Sequence, residues 1–251
     1  MKIQYCSDLH LEFPENRKFL SRNPLKPLGD VLVLAGDVVT FRELEKARDF
    51  IDFVSDHYSA VYWVPGNHEY YGSDISENPN PLRENIRQNV FLVNNQIVVH
   101  GGIRFVFTTL WSRISPLLEW DLQRSLSDFS AIAYGDEKFT PRRFTFLHEE
   151  SLAFLKSALQ EAVDMQTIVV THHVPTLMNY PAVYKKSPLT EAFAVELFDL
   201  IETAGAACWI YGHHHVNTPA FRIGNTAMLT NQLGYVHHRE HGTFRRDSMF
   251  G

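Results

Sequence analysis

Five short apolar runs punctuate the chain, at residues 2–6, 30–35, 60–64, 167–171 and 207–211, and each gives way at once to polar residues. Such runs, rich in β-branched and aromatic side chains, predict buried strands. Between them Leu44, Ala47, Ile51, Val54 and Tyr58 recur at three- and four-residue steps, as do Phe144, Leu147, Ser151, Leu155, Leu159 and Ala162. That spacing predicts two amphipathic helices. Strands alternating with helices argue for an α/β architecture. Residues 96–100, 103–109 and 219–235 look instead like strands joined by short turns, two of them supplied by Gly101-Gly102 and Gly224-Asn225. A pair of mixed sheets covered by helices on the outer faces accommodates both patterns better than one parallel sheet. Segments 70–81, 111–141 and 173–188 are richer in Pro, Ser, Asn and aromatic residues, and loops of this kind commonly carry specificity. No internal repeat or low-complexity stretch is present.

A length of 251 residues suits a single domain. With 45% hydrophobic and 21% charged residues the composition is that of a globular protein. The net charge of −6 and the lack of any Lys/Arg-rich track argue against nonspecific nucleic-acid binding. Cys6 and Cys208, the two cysteines, both lie in strand-like segments and are expected to be small buried thiols. The chain opens on a strand with no leader-like basic and apolar regions, and no window approaches 18 apolar residues, so a cytoplasmic location away from membranes is expected.

The polar residues that end the apolar runs carry the chemistry. Ser7-Asp8-Leu9-His10 follows the first, and extended geometry there would turn Asp8 and His10 to one side. Gly36-Asp37 follows the second, Gly66-Asn67-His68-Glu69 the third, His172-His173 the fourth and Gly212-His213-His214-His215 the fifth. Each alone suits a surface turn or a cap. Together they place Asp, Asn or His beyond every buried strand, where ligands of α/β folds gather. Seven of the 13 histidines fall in these motifs, and the other six are expected to be structural or on the surface. Oxygen and imidazole donors without thiolate suit divalent Mn, Fe, Zn, Co or Ni.

In order and content, Asp8-x-His10, Gly36-Asp37, Gly66-Asn67-His68-Glu69, His172 and Gly212-His213-x-His215 resemble the motifs of the calcineurin-like metallophosphoesterases. The resemblance implies a four-layer α/β/β/α fold with two packed mixed sheets. It implies two divalent ions, manganese favoured, the first held by Asp8, His10 and His215, the second by Asn67, His172 and His213, with Asp37 bridging. Two ions so placed can clamp the attacking and leaving oxygens of an in-line displacement, with water activated between them as the nucleophile. His68 is implied as the non-ligand catalytic histidine. Either His172 or His173 can fill the fourth motif, and His172, which directly ends the strand, is preferred. His214 should point away from its neighbours, towards substrate or solvent.

The expected reaction is therefore hydrolysis of a small-molecule or nucleotide phosphate ester, a diester in preference to a monoester. A monoesterase or a metal-binding scaffold without turnover are the alternatives. Metallo-β-lactamase-like and amidohydrolase-like sites would require His-x-His-x-Asp-His or an early His-x-His, and neither is present. Trp111, Arg113, Trp120, Arg124, Tyr180, Tyr184 and Lys185 are candidate substrate contacts in the variable segments, although packing is the first expectation for their aromatic members.

Overall fold

The computed structural model describes residues 1–161, 163–185 and 187–251. In chain order its strands are β1 (Ile3–Cys6), β2 (Val31–Ala35), β3 (Ala60–Val64), β4 (Leu82–Arg87), β5 (Val90–Asn94), β6 (Gln96–His100), β7 (Ile103–Thr108), β8 (Ala133–Tyr134), β9 (Glu137–Lys138), β10 (Gln166–Thr171), β11 (Cys208–Ile210), β12 (Phe221–Ile223), β13 (Thr226–Leu229) and β14 (Met249–Phe250). Its helices are α1 (Pro14–Arg22), α2 (Arg48–His57), α3 (Glu119–Ser125), α4 (Asp128–Ala131), α5 (Pro141–Gln160), α6 (Thr190–Phe193) and α7 (Phe198–Ala204).

Two six-stranded sheets form, one ordered β14-β1-β2-β3-β5-β4 and the other β12-β13-β11-β10-β7-β6. In each, parallel central strands are closed at both edges by antiparallel ones, so both sheets are mixed. Alternate residues explain the layering. Tyr5, Val33 and Tyr62 of the first sheet meet Phe105, Phe107, Ile168 and Ile210 of the second in a shared interior. The intervening Leu32, Leu34, Val61 and Trp63 face outward onto Ile51 and Val54 of α2. Val106, Val169 and Trp209 face outward onto Leu155 and Ala158 of α5 and Ile201 of α7. Burial on both faces is why these strands lack polar alternation. Each large apolar side chain so buried contributes about 1.5–3 kcal/mol.

Gly101 and Gly102, both at positive φ, make the β6–β7 turn, and Gly224-Asn225 joins β12 to β13. Thr140 caps α5 by accepting the Arg143 amide, with Pro141 in the first turn, and the helix buries Phe144, Leu147, Ser151 and Leu155. Ala162, expected on that helix, lies outside the described residues. The expected helix through Leu44 is a correction. Residues Phe41–Ala47 form a 3-10 turn with Glu43 out of helical geometry, and α2 begins only at Arg48. The break lets Phe41 pack on Tyr70 and Trp63 while Ile51 and Val54 face the sheet.

The 219–235 region is also shorter in strand than expected, since residues 230–235 continue past β13 without one. Segment 111–141 is not a plain loop. It carries α3, α4 and the β8–β9 hairpin, and packs Trp111, Leu122, Ile132 and Phe139 against Tyr70, Phe144 and Leu147. Both cysteines are buried and free. Among the described residues no helix is long and apolar enough to cross a membrane.

Candidate metal centre and active site

The motif residues leave the carboxyl ends of parallel strands in both sheets: Asp8 beyond β1, Asp37 beyond β2, Asn67 beyond β3, His172 beyond β10, and His213 and His215 beyond β11. The extended geometry expected for Asp8 and His10 is not found. Asp8, His10, Asp37, His213 and His215 all have φ between +47° and +82°. The amides of Asp8 and His10 instead donate to the carbonyls of Gly36 and Asp37, so the first motif winds along the second. Left-handed backbone at non-glycine residues costs about 1 kcal/mol or more each, and its concentration here marks a site where geometry has overridden local preference. Asn67 is helical too, with φ −77° and ψ −33°, and opens a 3-10 turn over His68–Tyr70. A turn, not an extended segment, therefore separates Asn67 from His68. Gly66 is required beneath them, because a Cβ there would collide with Asp37 and His172.

Two donor clusters share Asp37. Carboxylate and imidazole atoms of Asp8, His10, Asp37 and His215 converge within 4.8 Å of one another, and so do those of Asp37, His172 and His213. Asp37 Oδ2 lies 3.8 Å from His10 Nε2, and Asp37 Oδ1 lies 3.4 Å from His172 Nε2. Asn67 Oδ1 joins the second cluster, 3.2 Å from His172 Nε2.

Outer hydrogen bonds set the tautomers. His10 Nδ1 is 3.1 Å from Glu12 Oε1 and His215 Nδ1 is 2.7 Å from Glu240 Oε2. A carboxylate accepts, so both Nδ1 atoms carry a hydrogen and both Nε2 atoms are the ones left to offer lone pairs to a cation. Those lone pairs face each other at 3.0 Å. His172 Nδ1 donates to the Ala35 carbonyl at 2.9 Å, which leaves its Nε2 lone pair 3.0 Å from His213 Nδ1. Lone pairs aimed at one another beside two carboxylates form an arrangement that fits cations and is costly without them.

Without a cation, the same carboxylates favour a proton on two of these rings, in the place a metal ion would take. Burial lowers the proton affinity of His215, but Asp8 and Glu240 outweigh it and carry its pKa up to about 10. Burial likewise opposes, and Asp37 then dominates, the rise of His172 to about 9. Burial would raise Glu12, yet His10 and His68 bring it down to about 2. Burial, helped by His173 and His172, holds His213 well below the ordinary histidine range.

His68 is close by, with Nδ1 3.0 Å from Glu12 Oε1 and Nε2 3.2 Å from the Tyr235 hydroxyl. Tyr71 stacks on its ring at 4.1 Å. His172, not His173, sends its ring nitrogen into the clusters. His173 lies against Trp111, Phe144 and His213, and both of its ring nitrogens are buried without a partner among the described residues. His214 turns to Gln232, whose Oε1 accepts the His215 amide at 2.6 Å and whose Nε2 lies 2.9 Å from His214 Nδ1.

Above the donors opens a cavity of about 520 Å³ lined in part by Phe13, Tyr71, Asp128, Tyr180, Tyr184, Phe193, His214 and Tyr235. Of the candidate contacts in the variable segments, Tyr180 and Tyr184 reach it. Trp111 is in the core, and Arg113, Trp120, Arg124 and Lys185 are exposed and outside its lining. Sequence reasoning missed Glu12, Asp128, Gln232, Tyr235 and Glu240. Glu12 alone carried a signal, two residues beyond His10. The acid of Gly66-Asn67-His68-Glu69 is a hub: Glu69 accepts the amides of Asp37, Val38 and Gly66 and the Trp63 indole at 2.7–2.9 Å, tying the ends of β2 and β3 together.

Comparison with known proteins agrees with this architecture. A profile of the family described as calcineurin-like phosphoesterase matches residues 1–217. The uncharacterized protein L509 of Acanthamoeba polyphaga mimivirus is 30% identical over 264 residues, spanning 94% of this chain and 92% of its own. Among solved structures, the phosphopantetheinyl hydrolase PptH of Mycobacterium tuberculosis superposes with a TM-score of 0.74 at 17% identity, covering 99% of this chain and 95% of that one. It shares the fold.

Proposed function

Because the chain belongs to the calcineurin-like phosphoesterase family, we propose that it hydrolyses a small-molecule phosphate ester at a dinuclear centre formed by Asp8, His10, His215 and Asp37 on one side and Asn67, His172 and His213 on the other. The observation that carries this reading is the pair of Nε2 atoms of His10 and His215, each ring fixed from behind by a carboxylate and the two meeting at 3.0 Å. When bound, two divalent ions, with manganese the first to test, would neutralise phosphoryl charge and acidify a water.

The protein's own groups do the rest. Glu12 anchors His68 through Nδ1, so Nε2 is the atom offered beside Tyr235 at the cavity, and His68 acts at the ester's leaving oxygen. Gln232 donates to His214 Nδ1, which leaves the His214 Nε2 hydrogen as a donor for the organic part of the substrate. The aromatic wall of Phe13, Tyr180, Tyr184 and Phe193 suits an apolar or aromatic group. Asp128 lines the cavity with no histidine, lysine or arginine bonded to it among the described residues, and a carboxylate there favours the single charge of a diester over the double charge of a monoester.

The test is a screen of metal-stripped protein, reconstituted with manganese, against mono- and diesters including cyclic nucleotides. Turnover of diesters in excess of monoesters supports the reading. Preference for monoesters overturns the diester assignment, ion binding without turnover of any ester makes the protein a scaffold, and absence of ion binding overturns the reading as a whole.

A further inference from the structure

Segment 111–141 supplies none of the motif residues, yet it reaches the centre through one side chain. Asp128, on α4, is only 6% exposed, and its Oδ1 accepts Asn67 Nδ2 at 3.0 Å. Its Oδ2 accepts the Tyr71 hydroxyl at 3.1 Å. The segment is pinned beside the Asn67 turn by backbone bonds from Gly72 N to Ala131 O (2.7 Å) and from Ala133 N to Ser73 O (3.0 Å).

An asparagine has a donor end and an acceptor end of nearly equal shape, so nothing in its outline decides which one faces a cation. Here the carboxylate decides. With Nδ2 held by Asp128, Oδ1 must face His172 Nε2, 3.2 Å away, where His213 Nδ1 and Asp37 Oδ1 also point. The flipped amide would set two acceptor oxygens 3.0 Å apart and aim its own hydrogens at the His172 lone pair. We propose that Asp128 is a positioning residue for the second ion: by capturing Asn67 Nδ2 it keeps Asn67 Oδ1 turned to His172 and His213, and so the variable segment sets the affinity of that half of the centre. This rests on the phosphoesterase reading above.

The test is calorimetric titration of metal-stripped protein with Mn²⁺ alone, with thermal unfolding recorded for each variant. Asp128→Ala should weaken one of the two ions by roughly 10- to 100-fold, the usual effect of losing a partner behind a metal ligand, and leave the other within about threefold. Asp128→Asn should restore binding to within about threefold, because its amide oxygen still accepts from Asn67. A strut that merely held the segment would change unfolding and leave both ions unmoved. The proposal is overturned if Asp128→Ala binds both ions as wild type does, or if Asp128→Asn is as impaired as Asp128→Ala.

Should Asp128→Ala fail to fold, the charge exchange decides. Asn67→Asp alone opposes two carboxylates and should bind the second ion poorly, and adding Asp128→Asn should relieve it. No relief overturns the proposal. A wild-type protein that binds no Mn²⁺ defeats the phosphoesterase reading itself, a result distinct from all of these.

Discussion

His10 Nε2 and His215 Nε2 stand 3.0 Å apart although 205 positions separate the residues in the chain. Each imidazole is backed by a carboxylate, Glu12 behind one and Glu240 behind the other, so neither ring can turn its hydrogen toward its neighbour without losing a charge-assisted bond. Glu240→Ala should therefore free the His215 ring and weaken the first ion by about 10- to 100-fold while the second is retained. Metal titration of the variant checks this, and equal loss of both ions would refute the assignment of Glu240 to one side.

Asp37 is the shared member, with one oxygen toward each cluster. Asp37→Ala should impair both ions, whereas His10→Ala should spare the second. Elemental analysis after dialysis against limiting Mn²⁺ distinguishes the two patterns. A variant lacking Asp37 that still held two ions would remove it from the bridge.

Much of this was legible from sequence because strands buried on both faces announce themselves, and five of them, β1, β2, β3, β10 and β11, run directly into a motif carrying Asp, Asn or His. What was hidden lay in the support. Asp128 and Glu240 come from short elements with no apolar periodicity, and their bonds to Asn67 and His215 span 61 and 25 positions, which no local pattern reports. Strand β4 escaped because Arg83, Glu84 and Asn85 are exposed, as an edge strand permits. The left-handed backbone at Asp8 and His10 escaped because their side chains converge for a reason, the docking of one motif on the next, that spacing alone mimics.

The metal-stripped protein should be most stable near pH 6.5, the ordinary histidine value. The pKa values of His172 and His215 are raised when folded, to about 9 and about 10, so their contribution is complete below about pH 6.5 and is lost as pH rises through those values. Those of His10, His213 and His214 are lowered when folded, mainly by burial, and His214 falls to about 4. Their contribution is complete above about pH 6.5 and is lost as pH falls. Urea midpoints from pH 4 to 10 should trace a maximum between those limbs. A monotonic rise to pH 10 would contradict it.

His68 is the group whose role separates acid catalysis from simple binding. Its Nδ1 is held by Glu12 at 3.0 Å and its ring is sandwiched against Tyr71 at 4.1 Å, so the imidazole is fixed with Nε2 beside the Tyr235 hydroxyl at 3.2 Å. None of those contacts is to a proposed ligand, and Glu12 keeps its own 3.1 Å bond to His10 Nδ1 when His68 is removed, so His68→Ala should retain its ions. If His68 donates a proton to the leaving oxygen, turnover should fall roughly 10²- to 10⁴-fold for an alkyl ester, whose alkoxide needs that proton. The loss should shrink for a nitrophenyl ester, whose leaving group departs as a stable anion. Rates on both esters, for wild type and variant at matched manganese occupancy, decide the matter. An equal loss on the two would leave His68 to orient the phosphoryl group by a charge-assisted hydrogen bond, and would take the proton transfer away from it.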